Sequence, residues 1–426
     1  MKYEFIRHHG AMSLALAILM TACAKDETMP LPVLEEHTYS SSSLTISYCG
    51  ETMPGKTATF IPDTDDHFSG LLRLYSTLDL SQLGQGFEGV LPAPGVIPGS
   101  PSVDLPVSLV AGHDSYDFSG RSSTESCDFS YDGTITDQKL HLSLTDVRLH
   151  DRSLAGMVLV PASLKDGAAD GSVKSPIYVD WQIEPSSDVD IDLSAFLQAL
   201  LDVPVIPVQG GIAHMSVPQL ISRSLQTVAF LDNGNVVIRY YAYANGNMQF
   251  FTSCGNTVQY VTDAEKILLY LNPFSAYATW LALQSSDHIV TDPDFRQSPS
   301  GVSSDIMRAD ADRQALKEAL MPVLSDIAGK MAPMLATGLP LETNKTATNV
   351  NIYLDTATCL RIMSAIAQGI FDSPEATAAL YRILSAHPEF AGMTEEIGKL
   401  LTNLPSFLEK STTLHIGMSF EQFRGS

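Results

Sequence analysis

The sequence predicts an α+β fold with two β regions and one helical segment. Apolar and polar residues alternate with a period of two over residues 41–184, which is typical of antiparallel strands with one buried face. Hairpin-like strands recur over residues 227–271, and helical periodicity then dominates residues 273–411. We therefore expect an N-terminal antiparallel β-barrel or sandwich, followed by a second antiparallel sheet with an inserted helical subdomain.

Length and composition limit the class of protein. The chain has 426 residues, of which 45% are hydrophobic and 17% are charged, so it is long enough for two or three packed domains. Its 25 Lys and Arg residues against 48 Asp and Glu residues give a net charge of −23. Nucleic-acid binding depends on basic side chains that neutralise phosphates, so this balance argues against a nucleic-acid partner.

The N-terminus carries an export signal. Basic residues precede an apolar run from Ala11 to Met20, about half of the roughly 20 residues that a membrane-spanning helix needs. The small residues Thr21 and Ala22 then lead into Cys23, and this stretch resembles a bacterial lipobox. We predict that residues 1–22 are a lipoprotein signal peptide and that Cys23 is the lipid attachment site. The alternative is an ordinary signal peptide in which the cysteine occurs by chance.

Residues 23–40 are predicted to be a tether. They have no periodicity and include Pro30 and Pro32. Ala24-Lys25-Asp26-Glu27 resembles the Lys-acid-acid signal that sends Bacteroidetes-type lipoproteins to the outer face of the outer membrane, or it is simply a solvated spacer. The resemblance implies an outer-membrane protein that faces the cell exterior. Since anionic lipids repel an acidic body, the lipid anchor would make the membrane contact.

The N-terminal β domain is predicted to span residues 41–184. Alternation is clearest over residues 44–48, 140–145 and 177–183, and turn residues such as Asp132-Gly133 separate the strands. The period then changes, and Asp192 or Ser194 can cap a short helix.

The second domain is predicted to span residues 185–426. Its meander over residues 227–271 contains Asn-Gly pairs at 233–234 and 245–246, the strongest short hairpin signal. A helical subdomain over residues 273–411 and a closing strand over 412–420 complete it. The signals inside that subdomain are a strand at Ala347–Leu354, a helix capped by Asp355, a helix that begins at Ser373-Pro374-Glu375, and a helix that ends at Pro405.

Four features together resemble a known group. They are the lipobox, a first strand rich in Tyr and Ser, the Phe230–Val237 hairpin (Phe-Leu-Asp-Asn-Gly-Asn-Val-Val) and Lys266–Asn272 (Lys-Ile-Leu-Leu-Tyr-Leu-Asn). The combination is similar to uncharacterised Bacteroidetes lipoproteins with calycin-like, that is lipocalin-like, β domains. It extends over about residues 40–272 and implies a fold and a location without a catalytic motif. The helical segment at 300–411 departs from a plain barrel.

Cysteines and acidic residues give few metal signals. After Cys23, the cysteines are Cys49, Cys127, Cys254 and Cys359. Exported proteins form disulfides, so a Cys49–Cys127 bridge within the N-terminal β domain is a candidate, and buried free thiols are the alternative. No two cysteines have zinc-ligand spacing, and the acidic run at 188–192 lacks the Gly and Glu of a calcium loop. We predict no metal and no cofactor.

Aromatic residues cluster on the second meander. Tyr240, Tyr243, Phe250 and Tyr260 are candidates to face an apolar ligand or a sugar ring, and cross-strand core packing is the alternative. No Gly-x-Ser-x-Gly motif is present, so we predict no catalytic residue.

We therefore expect a lipoprotein that binds a glycan, lipid or protein partner with its β domains and does not catalyse a reaction. Two alternatives remain. One is an extracellular glycan or peptide hydrolase that uses a carboxylate pair. The other is a scaffold component of an outer-membrane complex.

Overall fold

A computed structural model describes most of the chain after residue 30. The described residues are 31, 33–79, 90–162, 175–184, 192–202, 206–207, 214–244, 247–263, 266–272, 315, 318–319, 334, 336–346, 349–386 and 394–422. Everything below refers to these residues.

The first half of the chain forms two main sheets. Its strands are β1 (His37–Ser40), β2 (Leu44–Tyr48), β3 (Glu51–Thr52), β4 (Thr57–Pro62), β5 (Ser69–Tyr75), β6 (Thr77–Asp79), β7 (Val90–Pro92), β8 (Ser102–Ser108), β9 (Val110–Ala111), β10 (Tyr116–Ser123), β11 (Cys127–Ile135) and β12 (Leu140–Leu149). The sheet orders are β1-β4-β5-β8 and β3-β2-β12-β11-β10-β9, and β6 pairs with β7.

Strand alternation builds one core between these sheets. On β12, Leu140, Leu142 and Leu144 are buried while the residues between them are not. Phe60 and Leu72 of the other sheet are also fully buried in the same core. Burying such a side chain stabilises the fold by about 1.5–3 kcal/mol relative to exposing it.

The second half of the chain forms a closed barrel. Its strands are β13 (Val158–Pro161), β14 (Ile177–Ile183), β15 (Ile206–Pro207), β16 (His214–Met215), β17 (Leu225–Phe230), β18 (Asn235–Ala244), β19 (Asn247–Thr252), β20 (Val258–Asp263), β21 (Lys266–Leu271), β22 (Leu339–Lys345), β23 (Asn349–Leu354) and β24 (Ser411–Gln422). The eight-stranded antiparallel barrel has the order β13-β17-β18-β20-β21-β22-β23-β24, and β24 closes it by pairing with β13. β14 pairs with the first part of β24, β19 with β18, and β15 with β16.

Side chains from one face of the barrel strands share a hydrophobic core. Leu159, Phe230, Tyr260, Ile352 and Phe420 come from five different strands, yet they share one hydrophobic core. Side chains from around a closed barrel meet in this way when they project inward. The Phe230 and Tyr260 rings, whose strands are separated by β18, have centroids only 4.9 Å apart.

The helices form a second core. They are α1 (Leu193–Leu201), α2 (Val217–Ser224), α3 (Thr356–Phe371), α4 (Pro374–Ala386) and α5 (Thr394–Glu409). Apolar side chains of α1, α3, α4 and α5 pack with Trp181 of β14 and Leu414 of β24. The predicted caps are present, because Asp192, Asp355 and Ser373 each accept a hydrogen bond from a backbone N–H three residues later.

The α+β class is confirmed, with an eight-stranded antiparallel barrel, further antiparallel sheets and helices. The placement of strands differs from the prediction. The closed barrel belongs to the second half, and the N-terminal sheets include one parallel pair, β2 with β12. β13 and β14, which were assigned to the domain at 41–184, both pair with β24. Alternation reveals a buried face but does not identify the neighbouring strand, which explains the difference.

Inside the predicted helical subdomain at 273–411, the strand predicted at Ala347–Leu354 is present as β23 (Asn349–Leu354), and a further strand, β22 (Leu339–Lys345), was not predicted. β22 and β23 form a hairpin that completes the barrel between β21 and β24. The helix predicted to end at Pro405 continues to Glu409. Phe407 and Leu408, which follow the proline, are buried in the helical core, and this burial offsets the hydrogen bond that proline cannot donate.

Candidate functional site

The predicted ligand-facing aromatics do not form one site. Tyr260 is fully buried, and its hydroxyl donates to the Leu231 carbonyl at 3.0 Å. Tyr240 stacks on Phe251 across the β18–β19 hairpin, with ring centroids 5.8 Å apart. Phe250 lies on the opposite face of that hairpin and is 52% exposed. The side chain of Tyr243 lies outside the described residues. Successive side chains of a strand point to opposite faces, so the Tyr240 and Phe250 rings lie on opposite faces of the hairpin and cannot line a common cup.

The candidate disulfide is not formed, since Cys49 and Cys127 are both free thiols. Cys49 follows β2 and Cys127 begins β11, and β12 lies between these two strands. Strands two positions apart are separated by about 9–10 Å, beyond the roughly 7 Å limit for bridged Cα atoms. Burial is the main factor that raises the pKa of each thiol, so both remain protonated at neutral pH.

An open polar pocket lies on the outer face of β10, β11 and β12. Its volume is about 640 Å³. The strand register places Arg121 opposite Ser130 and Asp128 opposite Arg148. The lining residues are Arg121, Ser122, Ser123, Asp128, Phe129, Ser130, Asp146 and Arg148.

A bulge shapes this pocket. The register between β11 and β12 shifts between Asp128 and Ser130, and Asp146 adopts a φ of 51°. Asp tolerates this left-handed region better than most residues. The Ser130 hydroxyl lies 3.4 Å from an Asp146 carboxylate oxygen.

The acidic side chains of the pocket have hydrogen-bond partners, whereas its arginines have none among the described residues. A hydrogen bond from Ser123 and a weaker contribution from His150 lower the pKa of Asp128. The bond between His150 and Asp128 in turn raises the pKa of His150. His150 Nε2 is 3.1 Å from Asp128 Oδ1. Arg121 and Arg148 have no hydrogen-bond or ion-pair partner in the described part of the chain. Two unpaired guanidinium groups beside seryl hydroxyls can bind an anionic ligand.

The same pocket lacks the geometry of a catalytic triad. Ser123 and His150 both bond Asp128, so the imidazole does not orient the seryl hydroxyl. Within the described residues, no group of three or more His, Cys, Asp and Glu side chains could hold a metal ion.

Lys56 is a buried amine that the sequence did not indicate. Its side chain is 5% exposed, and Nζ donates to the carbonyls of Pro94 at 2.6 Å and Gly95 at 3.1 Å. Burial lowers the pKa of Lys56 to about 7. The sequence around Lys56 does not indicate that its side chain is buried. The carbonyls of Pro94 and Gly95, which accept its hydrogen bonds, are distant in sequence and lie beside the amine only in the folded chain.

The pocket arginines were also missed, although alternation places Arg121 and Arg148 on the wet face of their strands. Their proximity depends on the pairing of β10, β11 and β12, which local pattern does not specify. Cys23, the signal peptide and half of the predicted tether (residues 23–30 and 32) lie outside the described residues. The end of the predicted tether is not a spacer, because His37–Ser40 form β1, which pairs with β4, and Tyr39 is fully buried. None of the helices that the structure describes is long and apolar enough to cross a membrane.

Comparisons with known proteins leave the site to be interpreted from its own chemistry. No family model, no curated protein and no solved structure matches this chain.

Proposed function

We propose that this protein is a lipid-anchored, non-catalytic binding protein of the bacterial outer surface, and that its pocket on β10–β12 binds acidic saccharides. The single observation that carries the proposal is the pair of unpaired arginines, Arg121 and Arg148, in one pocket of about 640 Å³. In a chain with a net charge of −23, a pocket with two free cations is a specific place for an anion. Three serines in its lining can bond sugar hydroxyls.

The anchor is the second part of the proposal. The lipobox-like stretch that ends at Cys23 supports acylation, and two or more acyl chains hold a protein stably at a membrane. The near-sequential strand order of the closed barrel also supports a calycin-like relationship. The segments at 162–224, 273–338 and 355–410 would then be insertions into that plan.

Binding is tested by calorimetric titration with tetragalacturonate, and with its methyl ester as the uncharged control. We expect the acid to bind and the ester to bind at least tenfold more weakly, because a charge-assisted hydrogen bond contributes about 1.5–3 kcal/mol. Arg121→Gln and Arg148→Gln should each weaken binding of the acid about tenfold or more. Arg361→Gln, which changes an exposed helical arginine, is the matched control and should have no effect. Equal affinities for acid and ester, or unchanged affinity in both pocket variants, would contradict the proposal.

A hydrolase is the second candidate, because Asp128 and Asp146 line the same pocket. The lowered pKa of Asp128 suits a carboxylate that stays ionised, as a nucleophile or base must. Release of reducing ends from tetragalacturonate, abolished by Asp128→Asn, would favour this candidate. Binding without any such release favours the non-catalytic function.

The anchor is tested separately by Cys23→Ser. We expect the variant to lose the lipid mass and to move from the membrane fraction to the soluble fraction. Cys254→Ser, a change at an exposed thiol, should leave both properties unchanged. A Cys23→Ser variant that stays in the membrane fraction would refute the anchor without affecting the pocket.

A further inference from the structure

Strands β14, β22, β23 and β24 present a polar, aromatic face that is separate from the pocket on β10–β12. On β24, the residues Leu414, Ile416, Met418 and Phe420 belong to the hydrophobic cores. The intervening residues therefore lie on the other face, where Tyr353 and Asn351 are buried while Asp180 and Glu342 are partly exposed. We define the amine face as Tyr178, Asp180, Glu342, Asn351, Tyr353 and His415.

Register brings the rings of this face together over a glycine. Tyr353 of β23 and Tyr178 of β14 both pair directly with Gly417 of β24. Because Gly417 has no side chain, the two rings meet above it, with centroids 5.1 Å apart. The His415 ring packs on Tyr353 at 4.4 Å, so that the three rings form a continuous group.

Carboxylates flank the rings on both sides. Glu342 pairs with Tyr353 in the strand register, and Asp180 pairs with His415. Both carboxylate side chains are about one-third exposed, so a ligand can reach them. Burial is the main factor that raises the pKa of Tyr353, and the neighbouring Tyr178, Glu342 and Asp180 raise it further.

Two polar atoms of this face lack a hydrogen-bond partner. Asn351 is 6% exposed, and no described residue donates a hydrogen bond to its Oδ1. His415 Nδ1 is likewise unsatisfied, since the nearest Asp180 oxygen is 3.9 Å away. Buried polar atoms normally have a partner, and an unpaired one can be satisfied by a water molecule, an ion or a group of a ligand.

The charged groups on this face are mainly acceptors. Among the described residues this face carries the cation of Lys266, whose Nζ lies 3.8 Å from Glu342 Oε1. Asp180 Oδ1 accepts a 3.0 Å bond from Gln182, and the Tyr178 hydroxyl bonds Asn344. The face thus offers carboxylate oxygens, an amide oxygen and aromatic rings, while it offers few donors.

We infer that the amine face binds a ligand that carries a protonated amine. An ammonium group donates hydrogen bonds to carboxylate and amide oxygens and is attracted to the faces of tyrosine rings. The net charge of −23 adds a general attraction for cations. This inference is independent of the saccharide pocket.

The experiment is a calorimetric titration of the full chain with 1,4-diaminobutane, and with 1,4-butanediol as the uncharged control of matched length. We expect saturable binding of the diamine and at least tenfold weaker binding of the diol. Asp180→Asn and Glu342→Gln should each weaken diamine binding at least tenfold. Asp65→Asn removes the same charge from an exposed loop and should change the affinity less than twofold.

Three results would overturn the inference: no saturable binding of the diamine at 1 mM, equal binding of the diol, or an equal loss in Asp65→Asn. Urea unfolding of each variant shows whether it is folded. If Asp180→Asn does not fold, Glu342→Gln decides the question by itself.

Discussion

At the scale of single residues, Lys56 shows how burial alone changes chemistry. Its amine has two backbone carbonyls as acceptors and no carboxylate partner among the described residues. The charged form loses its hydration on folding, so the pKa is about 7 in the folded chain and near 10.4 in the unfolded chain.

This difference predicts a pH dependence of stability. Between about pH 7 and 10 the unfolded chain keeps a proton that the folded chain has lost, so the free energy of unfolding increases with pH. From pH 7 to 8.5 we expect Lys56 to contribute an increase of about 1–2 kcal/mol. Urea unfolding of Lys56→Met should lack this increase, whereas Lys139→Met, a change at an exposed lysine, should retain it. The same increase in Lys56→Met would show that Lys56 is not its source.

Gly417 is a second residue with a defined steric role. A Cβ atom there would lie 2.1 Å from the Ile352 carbonyl oxygen and 2.4 Å from the Tyr353 Cα. Both distances are far below van der Waals contact, so a side chain would push β24 away from β23.

We therefore expect Gly417→Val to lower the free energy of unfolding by about 2–3 kcal/mol through overpacking. Near-UV circular dichroism should also change, because the Tyr178–Tyr353 ring contact would be lost. Thr413→Val on the same strand keeps the β propensity and is the control. A Gly417→Val variant as stable as that control would contradict the steric role.

At the scale of elements, local sequence determines where the helices start. Ser373 Oγ accepts a 3.2 Å hydrogen bond from the Ala376 N–H at the start of α4. Asp355 does the same for α3, at 2.7 Å. These caps were predictable because they depend on residues within one turn of each other.

The α4 cap gives a prediction with an internal control. Ser373→Ala should reduce the free energy of unfolding by about 1 kcal/mol, since an N–H of the first turn loses its acceptor. Ser364→Ala, at an exposed position within α3, should be neutral or slightly stabilising, because alanine has the higher helix propensity. Thermal unfolding of both variants measures the contrast, and equal effects would rule out a capping contribution by Ser373.

At the scale of the whole molecule, hydrogen bonds join the N-terminal sheets to the barrel. The Tyr48 hydroxyl donates to the Asn233 carbonyl at 2.6 Å. Asn256 Nδ2 donates to the carbonyls of Tyr48 at 3.3 Å and Glu51 at 3.0 Å. Asn256 also has a φ of 60°, which glycine adopts readily and alanine does not.

Two substitutions of Asn256 separate these effects. Asn256→Gly loses the side-chain bonds, and Asn256→Ala loses the bonds and also acquires backbone strain. We expect Asn256→Ala to be less stable than Asn256→Gly by about 1 kcal/mol, with both below the unaltered chain. Urea unfolding followed by tyrosine fluorescence provides the comparison. If the two variants are equally stable, backbone strain at residue 256 is negligible.

The local pattern by itself determined the α+β class, the buried face of most strands and the capped helix starts, because each depends on residues close together in the chain. Only the tertiary structure decided which strands pair, so it placed the closed barrel in the second half and drew β13, β14, β22 and β23 into the sheet around β24. It also brought together the Arg121–Arg148 pocket, the ring group over Gly417 and the carbonyls around Lys56. Each of these requires contacts between strands or turns that are distant in sequence, and a one-dimensional pattern does not specify such contacts.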